Sequence, residues 1–222
     1  MTKATDPTLQ GEVKARSPSS RAGPALRRDV RPIRVASILQ HSVDVLANNG
    51  CIGYSVSRVA SEADIRLSTL QHYFPNRELL LAETVRTVSE SWLAKLTSIA
   101  RDPALVVSAR LDAFVDDFFS AFNSPSMSAF VFEVLTLSES EPFAARIVRD
   151  SQQRLTQLIA TMVAETNNSL SPAACWLRAT LISAQTGGLL IFCRLGDRTG
   201  TDVMDLRQAT KALWNALCHA PG

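Results

Sequence analysis

A short stretch of the chain, residues 66–73, is dense in side chains that form hydrogen bonds. Glutamine can pair bidentately with adenine in a major groove, whereas arginine, threonine and tyrosine suit phosphate oxygens. This composition therefore indicates recognition of a nucleic acid by one short segment. The candidate residues are Arg66, Ser68, Thr69, Gln71, His72 and Tyr73.

The residues around this stretch have the pattern of a helix-turn-helix. A helix is expected to begin near Ser55, whose side chain can cap free amides, and Asp64 interrupts it. A second helix over 67–74 is stopped by Pro75. Small Ala60 allows the two helices to cross closely, so that a miniature apolar core can hold the second helix outward for a major groove. The predicted core residues are Val59, Ile65, Leu70 and Phe74.

The positive charge is concentrated at one end of the chain. The formal net charge is +2, yet residues 1–34 hold eight Lys or Arg against three Asp or Glu. This asymmetry points to a polyanionic partner there. Residues 1–31 are rich in Pro, Gly, Ser and Thr and have few large apolar groups, which predicts a disordered basic arm.

The rest of the chain has helical periodicity, and no segment shows the alternation of a strand. The spacing predicts an all-α fold of about nine helices, divided into a helix-turn-helix domain over 32–76 and a second domain over 77–222. The first helix is expected from Pro32 to Gly50, and a long one from Arg77, capped by Asn76. Further helices are predicted over 103–123, 126–138, 141–167, 171–195 and 201–219.

The segments Ser55–Ile65 and Ser68–Leu80 resemble the DNA-binding signature of the TetR family of transcriptional repressors. The specific features are the small residue after Val59, the pair Thr69-Leu70, and an aromatic pair leading to a basic residue, a glutamate and leucines. The resemblance covers about residues 33–82. Beyond it, only the number and length of the helices match.

The chain departs from the family pattern at three positions. Asp64 stands where the family usually has a turn glycine, and aspartate adopts the left-handed conformation better than most residues do. Gln71 replaces a tyrosine that typically contacts DNA, and Arg66 occupies a position where a Ser or Thr cap is common.

The resemblance implies a ligand-responsive repressor that acts in the cytoplasm, without a cofactor, on operator DNA. Ser55 and Arg77 are expected on phosphates, and Arg58 is included in the same DNA-binding set. Two copies of the chain would place two recognition helices on one face of the duplex, so that the operator would be near-palindromic. A transcriptional activator with the same fold remains an alternative.

Helices 171–195 and 201–219 are the predicted dimer interface. The first contains Ala184, Gly187 and Gly188, which allow another helix to approach closely. The second has apolar residues at steps of three and four, like a coiled-coil seam. Together with a second copy they would form a four-helix bundle, as the resemblance also implies. The seam residues are Val203, Leu206, Thr210, Leu213 and Leu217.

The region between the predicted DNA-binding and dimer helices is rich in aromatic residues, and the resemblance implies a ligand cavity there. An apolar or amphipathic small molecule is the expected effector, with polar side chains orienting it. The aromatic candidates are Trp92, Phe114, Phe118 and Phe132, and the polar ones are Glu133, Arg178 and Gln185.

An enzymatic alternative depends on Asp112, Asp116 and Asp117, which could bind a divalent ion together. No second acidic cluster completes such a site, and neighbouring phenylalanines would leave the aspartates on a solvated face. The three histidines and four cysteines suggest no catalytic or metal-binding group. The chain is therefore expected not to be an enzyme and not to hold a metal ion.

No segment has the sequence pattern of a secretory signal or of a membrane span. The longest uncharged run, residues 179–193, contains Gln185 and two glycines and is too short to cross a bilayer. The sequence accordingly predicts a cytoplasmic protein with no membrane partner.

Overall fold

The computed structural model describes residues 24–195 and 202–221, and its regular secondary structure there is helical throughout. Nine helices lie within these two ranges, which confirms the predicted all-α fold. No helix in them is long and apolar enough to cross a membrane. In chain order they are α1 (Pro24–Gly53), α2 (Val56–Glu62), α3 (Leu67–Tyr73), α4 (Arg77–Ala100), α5 (Val107–Phe122), α6 (Pro125–Ser140), α7 (Pro142–Thr166), α8 (Pro172–Leu195) and α9 (Val203–His219).

The first helix begins earlier than the sequence predicts. It starts at Pro24 and contains Pro32, which we expected to be its first residue because proline is favoured there. Residues 24–31, assigned to the basic arm, are therefore helical, in agreement with the helix-forming alanine, leucine and arginine residues among them. Residues 1–23, the rest of the predicted arm, lie outside the described residues.

Local capping signals set most of the other boundaries. The Ser55 side chain accepts a hydrogen bond from the Arg58 amide at 3.2 Å, at the start of α2. Asn76 accepts one from the Leu79 amide at 2.8 Å, at the start of α4. Both caps are the predicted ones. Each satisfies an amide that the first turn of a helix leaves without a partner.

The described residues from Val35 onwards form one compact unit, distinct from the described residues that precede it. The larger unit contains two apolar clusters. The head core joins α1, α2 and α3 to the start of α4 and to parts of α6 and α7. The body core joins the rest of α4 and α7 to α5, α8 and α9. Helices α4 and α7 therefore contribute buried residues to both clusters, and through them the head core is continuous with the remainder of this unit.

The predicted seam of α9 faces the body core of its own chain. Val203, Leu206 and Leu217 are half-buried against that core, and Thr210 is 6% exposed. Of the predicted seam residues, Leu213 alone is strongly exposed, at 45%. The prediction that this seam faces a second copy is wrong for most of its residues. A spacing of three and four creates an apolar stripe, but it does not select the surface that covers the stripe.

Candidate nucleic-acid interface

Helices α2 and α3 form the predicted helix-turn-helix. The turn between them places Asp64 in the left-handed region, with φ of +48°, and the Ile65 amide donates to the Ala60 carbonyl at 3.0 Å. Val59 and Leu70 are fully buried and Phe74 is 7% exposed. The predicted miniature core is thus present, and aspartate serves at the position where the family usually has glycine.

The core of the helix-turn-helix leaves the polar side of α3 facing solvent. Arg66, Ser68, Gln71 and His72 are exposed, whereas Thr69 and Tyr73 are half-buried. The rings of His72 and Tyr73 meet edge to face, with centroids 5.5 Å apart. This helix therefore presents hydrogen-bonding groups on a rigid support, which is the arrangement that base recognition in a major groove requires. Contact of these residues with DNA stays a prediction.

Ser55 and Arg58 lie at the start of α2, and both are exposed. The Ser55 hydroxyl is already used as the cap of that helix. In the amide orientation that satisfies both of its polar atoms, Asn49 accepts from Arg58 Nη1 at 2.7 Å. Ser55 and Arg58 therefore start from fixed positions at the edge of the helix-turn-helix, where phosphate contact is predicted.

Arg77 has a well-defined place in the fold. Its Nη2 donates to the Cys51 carbonyl at 3.1 Å and its Nε to the Tyr54 carbonyl at 3.4 Å. The guanidinium carbon lies 5.6 Å from the centroid of the Tyr54 ring. Arg77 thus joins the first residue of α4 to the connection between α1 and α2. The predicted phosphate contact of Arg77 stays a prediction, beside this structural role.

A buried chain of hydroxyl groups was missed by the sequence analysis. Ser42 on α1 lies 2.6 Å from the Tyr54 hydroxyl and 2.7 Å from that of Thr84 on α4. Thr84 donates to the Leu80 carbonyl at 2.7 Å. All three hydroxyl-bearing residues are buried, with at most 3% of the side chain exposed. Ser42 stands among the apolar positions of α1, and a polar residue at such a position is the sequence feature that indicates a buried hydrogen bond.

The predicted aromatic effector residues lie in a packed cluster. Phe118 is fully buried, and its ring centroid lies 5.1 Å from that of Trp92 and 6.0 Å from that of Trp214, both edge to face. Phe114 is also fully buried, at 6.5 Å from Phe118. Phe132 lies apart, half-buried, with the guanidinium carbon of Arg194 5.0 Å from its centroid.

The predicted polar effector residues are held at three separate places. Glu133 Oε2 accepts from the Cys51 amide at 2.7 Å. Arg178 donates to carbonyls at the end of α9, including that of Ala220 at 2.7 Å. Gln185 accepts from Trp214 Nε1 at 2.7 Å. The structure does not gather these side chains around one space, and it gives each of them a partner within the fold.

An open groove of about 590 Å³ lies between α6, α7 and α8. Its volume is within the range of small-molecule sites. Sequence reasoning missed it, because none of its lining residues is among the predicted effector residues. The lining consists of Ser138, Glu139, Ala145, Val148, Arg149, Gln152, Gln153, Thr156, Trp176 and Thr180.

The three aspartates of the enzymatic alternative are paired on two sides of α5. Asp116 accepts from Arg207 Nε at 2.7 Å and forms an ion pair with Lys211. Asp112 accepts from Asn215 at 2.9 Å, also on α9. Burial alone would raise the pKa of Asp116, but the hydrogen bonds from Arg207 and Lys211 outweigh it and lower the pKa below its ordinary value.

Asp117 differs from our expectation of a solvated position. It is only 7% exposed, forms an ion pair with Lys95, and accepts from Trp92 Nε1 at 3.2 Å. Expecting a solvated face for all three aspartates was therefore wrong for this one. Within the described residues, no three His, Cys, Asp or Glu side chains are placed to hold a metal ion.

A comparison with protein-family models finds no match for the chain. Among curated proteins, it is 29% identical over 93 residues to the HTH-type transcriptional regulator RutR of Escherichia coli. That match covers 42% of this chain and 40% of the relative, so the chain spans less than half the length of the curated proteins that it matches.

Solved structures share most of the fold. A protein of Pseudomonas aeruginosa described as a transcriptional regulator superposes with a TM-score of 0.69 at 21% identity, over 89% of this chain and 91% of that one. A protein of Mesorhizobium loti described as a TetR-family transcriptional regulator gives 0.69 at 15% identity, over 84% and 95%. The predicted resemblance is thereby confirmed, and these similar proteins are transcriptional regulators rather than enzymes.

Proposed function

We propose, on the basis of its TetR-type fold, that this chain is a transcriptional regulator that binds double-stranded operator DNA through α3. The observation that carries the proposal is the exposed polar side of α3, with Gln71 and His72 outward, above a core in which Val59 and Leu70 are fully buried. Such a helix enters a major groove with its side chains already oriented. The proposal retains the sequence-based DNA-binding set, with Ser55 and Arg77 beside phosphates and Arg58 near them.

The N-terminal residues add electrostatic attraction to this interface. Lys and Arg outnumber Asp and Glu over residues 1–34. Contacts between such residues and phosphates raise affinity for every DNA sequence and make it depend on salt. We accordingly retain the division into a basic arm, a helix-turn-helix domain and a larger helical domain as part of the proposal.

We further propose that the regulator is a homodimer through α8 and α9. Along α8, exposed apolar or small residues recur at alternating steps of four and three, and a Cβ added at Gly187 or Gly188 would meet no atom within 4 Å. An exposed apolar stripe with small residues at its centre suits close packing of a second helix. The stripe consists of Leu177, Leu181, Ala184, Gly188 and Ile191.

On α9, the outward side carries Leu213 with small Ala209, Ala212 and Ala216, and this side replaces the predicted seam in the proposed four-helix bundle. A two-fold axis through such a bundle makes the operator near-palindromic. The two half-site centres would then lie about 34–36 Å apart, or a multiple of that distance.

We further propose that the chain represses transcription in the cytoplasm. An apolar or amphipathic effector would relieve this repression. The aromatic residues around Phe118 are in contact with one another, so a ligand among them would have to separate them. The groove between α6, α7 and α8 is open and offers the half-exposed ring of Trp176 and the exposed guanidinium of Arg149. We favour it as the effector site, for an amphipathic molecule.

Selection of bound sequences from random duplex DNA tests the central proposal. We expect enrichment of an inverted repeat, bound by two chains per duplex in sedimentation or light-scattering measurements. Recovery of no enriched sequence would contradict DNA recognition. A single half-site bound by one chain would contradict the dimer. Reporter assays with and without the selected operator then distinguish repression from activation.

A further inference from the structure

The last turn of α1, which leads into α2, is held to α6 by one carboxylate. Glu133 Oε2 accepts from the backbone amide of Cys51 at 2.7 Å, across 82 positions of sequence. The Cys51 thiol donates to the Glu133 carbonyl, with sulfur and oxygen 3.6 Å apart. Arg77 donates to the carbonyl of the same Cys51 at 3.1 Å. Both sides of this peptide segment are therefore fixed by charged side chains, one on α6 and one on α4.

The backbone at this point is adapted to the approach of the carboxylate. Gly50 has φ of +64°, which interrupts the regular helix and favours glycine. A Cβ at this position would lie 3.2 Å from both carboxylate oxygens of Glu133. Gly50 thus provides both the turn of the chain and the space for Glu133. The two residues form one feature, which we call the Glu133 clamp, together with Cys51 and Arg77.

The clamp lies between the DNA-binding helices and the rest of the molecule. Buried Tyr54 lies three positions after Cys51, and Ser55, the cap of α2, comes next. On the other side, Val134 is buried in the head core, whereas Phe132 packs against the body core. A displacement of α6 would therefore act on the start of the helix-turn-helix through a direct hydrogen bond.

We propose that Glu133 is a positioning residue that fixes the start of the helix-turn-helix to α6 and thereby sets the affinity of the chain for DNA. The inference rests on the proposed function. It gives Glu133 a role different from the effector contact expected from the sequence. Without the clamp, the chain around Cys51 would become ordered only when DNA binds. The free-energy cost of that ordering would weaken DNA binding.

The test compares Glu133→Ala and Glu133→Gln with the unchanged chain, using the duplex selected from random DNA. Glu165→Ala is the matched control, because Glu165 is an exposed glutamate of α7 that pairs with Arg110 of α5. We expect Glu133→Ala to weaken binding about tenfold, which corresponds to the lower range of a hydrogen bond to a charged group. Glutamine retains an acceptor for the Cys51 amide and should restore part of the loss.

Two further measurements separate positioning from a loss of stability or of phosphate contacts. The slope of log Kd against log salt should be unchanged in Glu133→Ala, because a carboxylate does not bind the phosphates of DNA. Hydrogen exchange of a peptide spanning residues 50–55, measured without DNA, should become about tenfold faster at one amide and remain unchanged in α9.

A double-mutant cycle examines the close approach at Gly50. Gly50→Ala should weaken DNA binding less in a Glu133→Ala background than in the unchanged chain, since the contact with the carboxylate is then gone. Equal losses in the two backgrounds would overturn the steric part of the inference.

The outcomes distinguish this inference from the proposed function. Unchanged exchange and unchanged Kd in Glu133→Ala, with normal DNA binding by the parent chain, would overturn the clamp alone. A lower melting temperature with unchanged Kd would also overturn it, as this is the result of a purely structural role. Failure of the parent chain to select any DNA would overturn the proposed function, whereas the exchange result would still report the hydrogen bond.

Discussion

The hydroxyl oxygens of Tyr54 and Ser42 lie 2.6 Å apart inside the head core. Because Thr84 donates to the Leu80 carbonyl, Ser42 must donate to Thr84, and Tyr54 must donate to Ser42. This ordered chain joins α1, the α1–α2 connection and α4. Each member is a buried donor, so the loss of Ser42 or Thr84 leaves the preceding hydroxyl without an acceptor, whereas the loss of the Tyr54 hydroxyl removes only the first donor of the chain.

Ser42→Ala should lower the free energy of unfolding by about 1–3 kcal/mol, because it leaves the buried Tyr54 hydroxyl without an acceptor. Tyr54→Phe removes only the terminal donor and should cost about 1 kcal/mol. Urea denaturation followed by circular dichroism measures both. Ser98→Ala, at an exposed position of α4, controls for the change in helix propensity. Equal stabilities of Ser42→Ala and Ser98→Ala would contradict the buried chain.

Alkaline pH should destabilise the fold through Tyr54. Burial raises the pKa of Tyr54 above its ordinary value, although hydrogen bonds with Ser42 and Thr84 oppose this. With the folded pKa above the unfolded one, the stabilising contribution is present below about pH 10 and is lost as the pH rises further. Between pH 8 and 11, the unchanged chain should therefore lose more unfolding free energy than Tyr54→Phe does. Parallel curves would show that Tyr54 does not contribute.

Gln71→Ala should relax the base preference at one position of each half-site. Gln71 is exposed on α3, and a bidentate contact with adenine contributes about 1–3 kcal/mol of discrimination. Repeating the selection from random DNA with this variant measures the change. Gln157→Ala, at an exposed glutamine of α7, should leave the consensus unaltered. An identical consensus for Gln71→Ala would mean that Gln71 reads no base.

Leu181→Glu should convert the dimer into monomers at micromolar concentration. Leu181 is 48% exposed within the proposed stripe on α8, and a charge buried against a second copy would have no partner. Sedimentation velocity measures the association state. Leu135→Glu is the control, at a 41% exposed leucine of α6. If both variants remained dimeric, the interface would have to lie elsewhere.

Arg77→Ala distinguishes two roles of the same guanidinium. Loss of a phosphate contact would reduce the slope of log Kd against log salt by about one. Loss of the hydrogen bonds to Cys51 and Tyr54 would lower the melting temperature and leave the slope unchanged. The observed hydrogen bonds predict a lower melting temperature and the proposed phosphate contact predicts a reduced slope, and salt titrations and thermal unfolding measured on the same variant test the two roles separately. A reduced slope with an unchanged melting temperature would favour the phosphate contact.

Local sequence determined where α2 and α4 begin and which side of α3 faces solvent. Ser55 and Asn76 cap amides within three positions of themselves, and Asp64 tolerates a positive φ, so that these features depend on neighbouring residues only. The same holds for the apolar side of α2 and α3, because helical periodicity separates the core positions from the polar ones. The TetR resemblance is carried by this part of the chain.

The partners that distant side chains pack against or pair with follow from the tertiary structure alone. The α9 seam at Leu206 and Leu217 is covered by the chain's own core, Asp117 is paired with Lys95, and Glu133 binds an amide 82 positions away. A spacing pattern records that a side chain is apolar or charged, but not the distant partner that the packing of helices brings to it. Helix packing selects these partners, and it therefore sets the roles of residues that sequence alone assigned to an effector, a solvated face or a second copy.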